Sequence, residues 1–389
     1  MGQALAKREM DKGMKQYHEQ RFAEAVDEWS SALKKMTKAR NKFEALGNIC
    51  LALCDLGKYR DALTHSGLQI EVANDTDDPV LKSEAFLMYA ICNEKLSEFT
   101  KAISYCRYCL QTEKVADRTQ SYAHLCLGNA YVGLSEFPKA WGSYTKALTL
   151  ARTKNDKFLE LMTSARVGHM FSLLTDYDTG LAYCCKAWDV VSGLPEGDPH
   201  VRYRRLLAVY IATPYRRTGR YNEAMDYCER ASPRYESAYS IMSETGDRLG
   251  QVEALSGMAK TATSQRDLAK ATELNVKALD IAQKIGNKLE MLRCHARLRT
   301  LYAATGDETL AHRHFSVLRQ LLDEMELLCG VCDEVVGERP EKLDALRCGH
   351  FIHGRCSDYL ARSTLGRAGK TRPCPACRRK SSENPALYT

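Results

Sequence analysis

The sequence predicts an all-α fold, in which an array of helical hairpins is followed by a small cysteine- and histidine-rich module. Two observations predict it. A pattern of small and aromatic residues recurs along residues 6–328, and eight residues of metal-ligand type lie between positions 329 and 377. At 389 residues the chain has room for two or more domains of about 100 to 200 residues each. The organisation expected is an N-terminal segment 1–5, repeats 6–316, an apolar helix 317–328, the cysteine- and histidine-rich module 329–380 and a flexible tail 381–389.

The repeat unit consists of an aromatic or bulky residue, a small residue three positions later, and another small or apolar residue seven further on. Successive small residues lie 37, 40, 38, 40, 44, 47 and 40 positions apart. Periods in this range indicate stacked helical hairpins, of which we expect seven or eight. The units begin at Phe22, Tyr59, Phe99, Phe137, Tyr177, Tyr221 and Leu268, with a weak copy at Ala311.

Glycines mark the expected turns inside several hairpins, at Gly57, Gly219 and Gly306. The unit resembles the tetratricopeptide repeat, although it is longer and its later copies are degenerate. The resemblance is strongest in Gly128, Tyr131, Phe137, Ala140, Tyr144 and Ala147. It implies a superhelix whose extended concave surface binds peptides or proteins.

Cysteine and histidine recur near the C-terminus at a spacing that few structures explain. The ligand-type residues are Cys329, Cys332, Cys348, His350, His353, Cys356, Cys374 and Cys377. Thiolate and imidazole are the ligands of tetrahedral structural zinc. The alternative, a set of unmetallated structural cysteines, would have to produce this spacing by chance.

We call these eight residues the ligand ladder. Their spacing resembles that of the RING-H2 zinc finger, and the resemblance implies how the ligands pair. Cys329, Cys332, His353 and Cys356 would hold the first zinc ion, and Cys348, His350, Cys374 and Cys377 the second. Two closed tetrahedra leave no position for an activated water, so we expect structural zinc and no zinc hydrolysis. Because so small a module has little apolar core, metal binding should supply most of its folding free energy.

An apolar stripe precedes the ladder. It comprises Phe315, Leu318, Leu321, Leu322, Met325 and Leu328. The stripe spans fewer than two clear heptads, whereas a coiled coil needs three or four. Two interpretations remain: a last helix that covers the end of the array and leads into the zinc module, or a seam that binds a partner helix.

The N-terminal residue after Met1 is Gly2, which resembles an N-myristoylation site. Ala6 departs from that motif, because Ser or Thr is preferred there. One myristoyl chain binds a bilayer only marginally, so a second attachment is expected, from basic residues or a membrane-protein partner. No apolar run reaches the eighteen or so residues of a membrane span. The sixteen cysteines, without a secretory signal, predict reduced thiols inside the cell.

The formal net charge is +7, and most charges interleave as on solvated helix faces. Residues 362–380 hold seven basic side chains and no acidic one. A solvated loop, an anionic membrane face or an acidic partner would each explain this run, whereas nucleic-acid binding is not expected. Ser381 and Ser382 follow it as candidate phosphorylation sites, although a tail without a role is equally consistent.

The whole arrangement resembles a family of peripheral, lipid-anchored postsynaptic scaffolds. The resemblance implies clustering of nicotinic acetylcholine receptors, self-association through the repeats, receptor contact around Phe315 to Leu328, and a link to the cytoskeleton. An alternative is a RING-type ligase that recruits a ubiquitin-type conjugating enzyme. Val331, Pro375 and Arg378 match contact positions of active RING fingers, whereas Ser357 replaces their usual apolar residue.

Overall fold

The computed structural model describes residues 2–76, 78–193, 203–220, 223, 247–264, 266–325, 327–337, 339–346 and 348–357. Helices dominate these ranges, and we number them along the chain. They are α1 (Gly2–His18), α2 (Phe22–Lys35), α3 (Ala39–Asp55), α4 (Tyr59–Thr76), α5 (Pro79–Lys95), α6 (Phe99–Gln111), α7 (Asp117–Gly133), α8 (Phe137–Thr153), α9 (Lys157–Leu173), α10 (Tyr177–Ser192), α11 (Tyr203–Arg217), α12 (Arg248–Ser264), α13 (Leu268–Ile285), α14 (Lys288–Ala304) and α15 (Glu308–Glu324). Two short strands, β1 (Leu343–Ala345) and β2 (Phe351–His353), pair antiparallel.

The chain divides into two compact units. Of the elements above, the first unit holds α1–α7, α12 and α13, and the second holds α8–α11, α14, α15 and both strands. In the first unit consecutive helices from α1 to α7 pack on one another, and α3 and α7 also contact α5. In the second unit α9 packs on α8, α10 and α11, and α14 packs on α15.

The predicted helical-hairpin array is confirmed, and the repeat pattern marks where helices begin. Six of the bulky residues that open a repeat unit are the first residue of a helix: Phe22, Tyr59, Phe99, Phe137, Tyr177 and Leu268. Two positions earlier the backbone always adopts positive φ. The residues are Gln20, Gly57, Ser97, Ser135, Thr175 and Arg266, and Gly219 and Gly306 share this conformation. The three glycines expected at turns thus lie where the chain needs the left-handed region, which glycine enters without strain.

Two predicted boundaries differ in the structure. Helix α1 already begins at Gly2, so residues 2–5 form its first turn rather than a separate segment. The apolar stripe expected over 317–328 belongs largely to α15, which starts at Glu308 and forms the second helix of a hairpin with α14. Helix α15 is longer than the apolar stripe suggests, because polar residues on its solvent face continue the same helix.

The core of the first hairpins is built around Trp29, which is 1% exposed. Ala25, Ile49 and Leu53 pack with it, and its indole nitrogen donates a 3.2 Å hydrogen bond to the carbonyl of Met10. Gly13 lets α1 approach closely, because a Cβ there would lie 2.5 Å from the indole nitrogen of Trp29. Small residues therefore set the helix spacing, as expected for this repeat.

Hydroxyl groups in the left-handed turns also bind helix ends more than 150 residues away. Within the first unit, Ser97 Oγ accepts a 3.1 Å hydrogen bond from the amide of Leu249. Within the second unit, Ser135 Oγ accepts a 2.7 Å bond from the amide of Leu289. Leu249 and Leu289 are each the second residue of a helix, where amides lack an intrahelical acceptor. A turn in each unit thus caps a later helix.

Cysteines outside the C-terminal module behave as small apolar residues. Seven of those in the described ranges are buried and two are half-buried: Cys50, Cys92, Cys106, Cys109, Cys126, Cys184 and Cys294, then Cys54 and Cys185. Burial raises the pKa of the Cys184 thiol to about 12, so it stays protonated at neutral pH. Among the described helices, none combines the length and apolarity of a membrane span.

Candidate metal centre

A tight turn brings the first two ligand-type residues together. The amide of Cys329 donates to the carbonyl of Glu334, and the amide of Asp333 donates to the carbonyl of Cys329, both at 2.9 Å. Leu328 and Val335 form a β-bridge around the turn. Asp333 adopts a φ of 56° to close it. This backbone aims the Cys329 and Cys332 side chains at one point.

The other two ligands come from the end of the small sheet. His353 is the last residue of β2, where it pairs with Leu343 of β1. A helical turn begins at the next residue and carries Cys356. The strand and the helical turn place the imidazole and the thiol three residues apart on the same side.

These four side chains converge on one site. One ligand atom from each of Cys329, Cys332, His353 and Cys356 lies within 4.8 Å of all the others, so the group could hold a metal ion. A tetrahedral zinc ion sits about 2.3 Å from sulfur and about 2.0–2.1 Å from nitrogen, which places its ligands within such a span. The residues therefore fit zinc in number, spacing and type.

The Nε2 edge of the His353 imidazole, which faces away from the cluster, also has polar neighbours. Its Nδ1 lies 3.3 Å from Cys332 Sγ, whereas its Nε2 lies 3.4 Å from the carbonyl of Val335 and 3.5 Å from a Glu341 carboxylate oxygen. A carbonyl or carboxylate behind a ligand imidazole holds the ring orientation and its tautomer. Arg355 Nε lies 3.5 Å from the same Glu341 carboxylate and its guanidinium also pairs with Glu334.

The electrostatics of the cluster favour a cation. Burial, reinforced by the neighbouring thiols of Cys332 and Cys329, raises the pKa of Cys356 to about 12. At Cys329 burial acts in the same direction, but backbone amides of His353, Cys332 and Val331 outweigh it and lower the pKa. A divalent cation removes the repulsion between thiolates, so metal binding and deprotonation occur together.

Only part of the second expected ligand set can be placed. Cys348 Sγ and His350 Nδ1 lie 3.4 Å apart, in the loop before β2. Cys374 and Cys377, expected to complete that set, lie outside the described residues, as do Pro375, Arg378, Ser381 and Ser382. The basic run 362–380 also lies outside them.

The module is docked on helix ends of the second unit. Asp176 Oδ2 accepts a 2.8 Å hydrogen bond from the amide of Leu343, and the hydroxyl of Thr175 donates to the carbonyl of Arg339 at 2.9 Å. Phe351 meets Phe171 edge to face, with ring centroids 5.9 Å apart. These polar and aromatic contacts make the module part of the folded unit.

Close backbone approach at two glycines tightens this docking. A Cβ at Gly349 would overlap the carbonyl oxygen of Pro138, and one at Gly337 would lie 3.1 Å from the carbonyl oxygen of Leu174. Both glycines have positive φ, of 96° and 87°. Any other residue would therefore strain the backbone and push the module away from the helices.

The apolar stripe of α15 is only partly covered. Leu321 and Met325 are buried at 4% and 3% exposure, whereas Phe315, Leu318 and Leu322 are half-buried and Leu328 is exposed. The Arg299 guanidinium lies 4.7 Å from the Phe315 ring centroid. Leu321 and Met325 thus pack within the second unit, while the remaining side chains leave an apolar strip beside them. Val331, the one described candidate contact for a conjugating enzyme, is half-buried.

Helical hairpins with a docked cysteine and histidine cluster define a helical-repeat protein with a candidate metal-binding module. Residues 1–80 match the family model described as the rapsyn N-terminal myristoylation and linker region. The chain belongs to the rapsyn family, the 43 kDa receptor-associated proteins of the synapse. It is 33% identical over 416 residues to the Tetronarce californica protein and 34% identical over 423 residues to that of Gallus gallus, with 98% of this chain and 98% of each relative covered.

Solved structures give a looser likeness. A tetratricopeptide repeat protein from Parabacteroides merdae is 15% identical, with a TM-score of 0.39 and coverage of 74% of this chain and 99% of that chain. The repeat assignment rests on the helices and turns described above.

Sequence reasoning did not anticipate Asp176 or Glu341 in the site. Asp176 precedes Tyr177 and has the sequence signal of a helix N-cap, which the structure shows it to be, through a 3.0 Å bond to the amide of Thr179. Nothing in the sequence links it to Leu343. Glu341 lies in the expected module, but only the fold brings it behind His353.

Proposed function

We propose that this chain is a membrane-associated scaffold that gathers nicotinic acetylcholine receptors at the postsynaptic membrane and links them to the cytoskeleton. The observation that carries the proposal is the match along 98% of the chain to relatives named as receptor-associated proteins of the synapse. An array of stacked hairpins suits the role, because such arrays offer extended surfaces for protein partners.

The proposed anchor is a myristoyl chain on Gly2, on the cytoplasmic face of the membrane. The family match over residues 1–80 supports it, since that region is described by its myristoylation. With many copies held on one membrane, effective concentration rises, so weak contacts between repeats and weak contacts to receptor suffice for stable clusters.

The proposed zinc sites are structural. Cys329, Cys332, His353 and Cys356 would hold one ion, and Cys348, His350, Cys374 and Cys377 a second. Their role would be to fold the module, which the helices of the second unit then support through Asp176 and Phe171. The half-buried strip of α15, with Phe315, Leu318 and Leu322, is the proposed contact for a receptor helix.

The test is receptor distribution in non-muscle cells that co-express acetylcholine receptor with this chain. Wild type should produce surface clusters. Gly2→Ala should leave receptor diffuse if the lipid is required, and Cys348→Ala should do so if the second zinc site is. Cys50→Ala is the matched control, because Cys50 is a buried cysteine of α3 outside the ligand ladder. Diffuse receptor with every version contradicts the scaffold proposal.

A ligase is the second candidate function. The loop from Cys332 to Glu334 is exposed, and the neighbouring Val331 is accessible in part, so docking of the module leaves this loop open to a conjugating enzyme. Ubiquitin-type chain formation with a panel of conjugating enzymes, abolished by Val331→Ala while zinc content is unchanged, would favour it. Inactivity with every enzyme, alongside intact clustering, would favour the scaffold alone.

A further inference from the structure

The first hairpin gathers positive charge around the proposed lipidation site. Gly2 is the first residue of α1, and the side-chain amide of Gln3 donates a 3.0 Å hydrogen bond to the hydroxyl of Thr37. The start of α1 therefore lies beside the turn that joins α2 to α3.

This turn and the two helix ends beside it are strongly basic. Residues 29–43 contain five basic side chains and no acidic one: Lys34, Lys35, Lys38, Arg40 and Lys42. Lys7 and Arg8 of α1 add two more. Lys7, Arg8, Lys34, Lys38 and Arg40 are exposed to solvent, and we call these five the basic patch.

Nearby acidic groups neutralise only part of this charge. Lys35 is outside the patch and pairs with Glu9 of α1. Within the patch, Arg40 lies 3.8 Å from Glu44, and both side chains are largely exposed, so water screens this pair strongly. Asp11, one turn further along α1 from Lys7 and Arg8, offsets one more charge, so the five patch residues keep a net positive charge.

Packing holds the patch together. Ala6 of α1, Ala32 of α2 and Ala45 of α3 bury their side chains in one cluster with Met36. The three helix ends that carry the basic residues are thus parts of one rigid surface. A preorganised surface binds at a smaller entropic cost than a flexible basic tail.

We propose that the basic patch binds anionic phospholipid headgroups and is the second membrane attachment of this chain. The inference rests on the proposed acylation of Gly2. One myristoyl chain gives only marginal binding, and basic residues near an anionic leaflet strengthen it. Because no spacer separates Gly2 from α1, Lys7 lies about 8 Å along the helix axis from the acyl chain, within roughly one Debye length of the membrane at physiological salt.

The test measures vesicle binding of N-myristoylated full-length protein. The vesicles are phosphatidylcholine alone or phosphatidylcholine with phosphatidylserine. The test variant carries Lys7→Gln, Arg8→Gln, Lys34→Gln and Lys38→Gln. It should bind the serine-containing vesicles at least about tenfold more weakly than wild type and the neutral vesicles equally well. Added salt should weaken wild-type binding to the anionic vesicles.

A matched variant removes the same charge elsewhere: Lys114→Gln, Lys146→Gln, Lys186→Gln and Lys270→Gln, all exposed residues. It should bind like wild type. Equal binding of wild type to both vesicle types, or equal loss in both variants, overturns the proposal. Normal vesicle binding of the test variant, with loss of membrane retention in cells, overturns it in favour of an acidic protein partner.

The proposed lipid anchor is judged separately. If non-acylated Gly2→Ala protein binds neutral vesicles as well as the acylated protein does, the anchor itself is rejected. If acylation matters but phosphatidylserine does not, only the basic patch is rejected. Melting curves of both quadruple variants verify that the exposed substitutions leave the fold intact.

Discussion

Asp176 joins a helix to the metal module with one carboxylate. Its Oδ1 accepts the amide of Thr179 at 3.0 Å and so caps α10, while its Oδ2 accepts the amide of Leu343 at 2.8 Å. The side chain is 1% exposed. Burial raises its pKa, and the two amides moderate that rise by stabilising the ionised form. Two separate segments of the second unit thus depend on the same residue.

Asp176→Asn should destabilise the second unit. The amide nitrogen of Asn would face one of the two backbone amides, and the resulting buried donor without an acceptor costs about 1–3 kcal/mol. Urea unfolding of the full chain gives the magnitude, and hydrogen exchange at Leu343 locates it. Asp307→Asn is the matched control, since Asp307 caps α15 through the amide of Leu310 and Asn caps equally well. Similar losses in both variants would contradict a special role for the Leu343 contact.

Removal of metal should loosen the module and the helix ends beneath it. A chelator leaves the thiols of Cys329, Cys332 and Cys356 without the cation that brings them together, so β1 and β2 should exchange their amide hydrogens faster. The amides of Leu343 and Thr179 should follow, whereas those around Trp29 in the first unit should not change. If the amide exchange rates of the module are the same before and after chelation, a structural metal ion is ruled out. Zinc content, expected at two per chain, should fall in Cys332→Ser and stay the same in Cys185→Ser.

Gly13→Ala should destabilise the first hairpin by about 1–3 kcal/mol, because the new methyl group would overlap the Trp29 indole. Gly67→Ala is its counterpart in α4. No neighbouring atom lies within 4 Å of a Cβ built there. Because alanine lowers the conformational entropy of the unfolded chain, the substitution should stabilise the protein by about 0.5–1 kcal/mol. Thermal unfolding with a two-unit fit measures both. If Gly13→Ala leaves the free energy of unfolding unchanged, α1 and α2 can move apart without losing stability.

Acid should weaken the hairpin of α14 and α15. His295 Nδ1 lies 2.7 Å from His314 Nδ1, a contact that requires a proton on only one of the two nitrogens. Burial, with the neighbouring His314, lowers the pKa of His295 to about 4, and burial also lowers that of His314. A folded-state pKa below the unfolded value of about 6.5 means that the stabilisation is complete above pH 6.5 and is lost as pH falls toward 4.

The free energy of unfolding should therefore decline by up to about 1.4 kcal/mol per pH unit from His295 in that window, and the lowered pKa of His314 adds to the decline. The measurement compares wild type with His295→Gln, in which the slope should be smaller. His18→Gln removes an exposed histidine of α1 and should keep the wild-type slope. Equal slopes in all three proteins would place the acid sensitivity elsewhere.

The repeat architecture was predictable from sequence because each hairpin uses the same local geometry. A bulky residue such as Phe99 or Phe137 opens the second helix, and the residue two positions earlier makes the left-handed turn. Local rules do not reveal that Ser97 and Ser135 bind Leu249 and Leu289, because each contact joins segments that lie more than 150 residues apart in the sequence.

The same distinction applies to the functional surfaces. The spacing of Cys329, Cys332, His353 and Cys356 indicated the metal centre, and the structure brings these four together. The sequence analysis singled out the basic run 362–380, which holds seven basic side chains and no acidic one. It did not reveal the basic patch, because the start of α1 reaches the turn between α2 and α3 only in the folded hairpin.

The contact between Asp176 and Leu343 also constrains synthesis, since 167 residues separate its partners. At roughly 5–20 residues per second, the ribosome needs on the order of 10–30 s to deliver Leu343 after Asp176. Throughout that interval the start of α10 lacks its contact with Leu343, and the ring of Phe171 lacks its contact with Phe351. The nascent chain therefore completes this docking surface well before the module that covers it has been made, so docking of the module is a late step of folding.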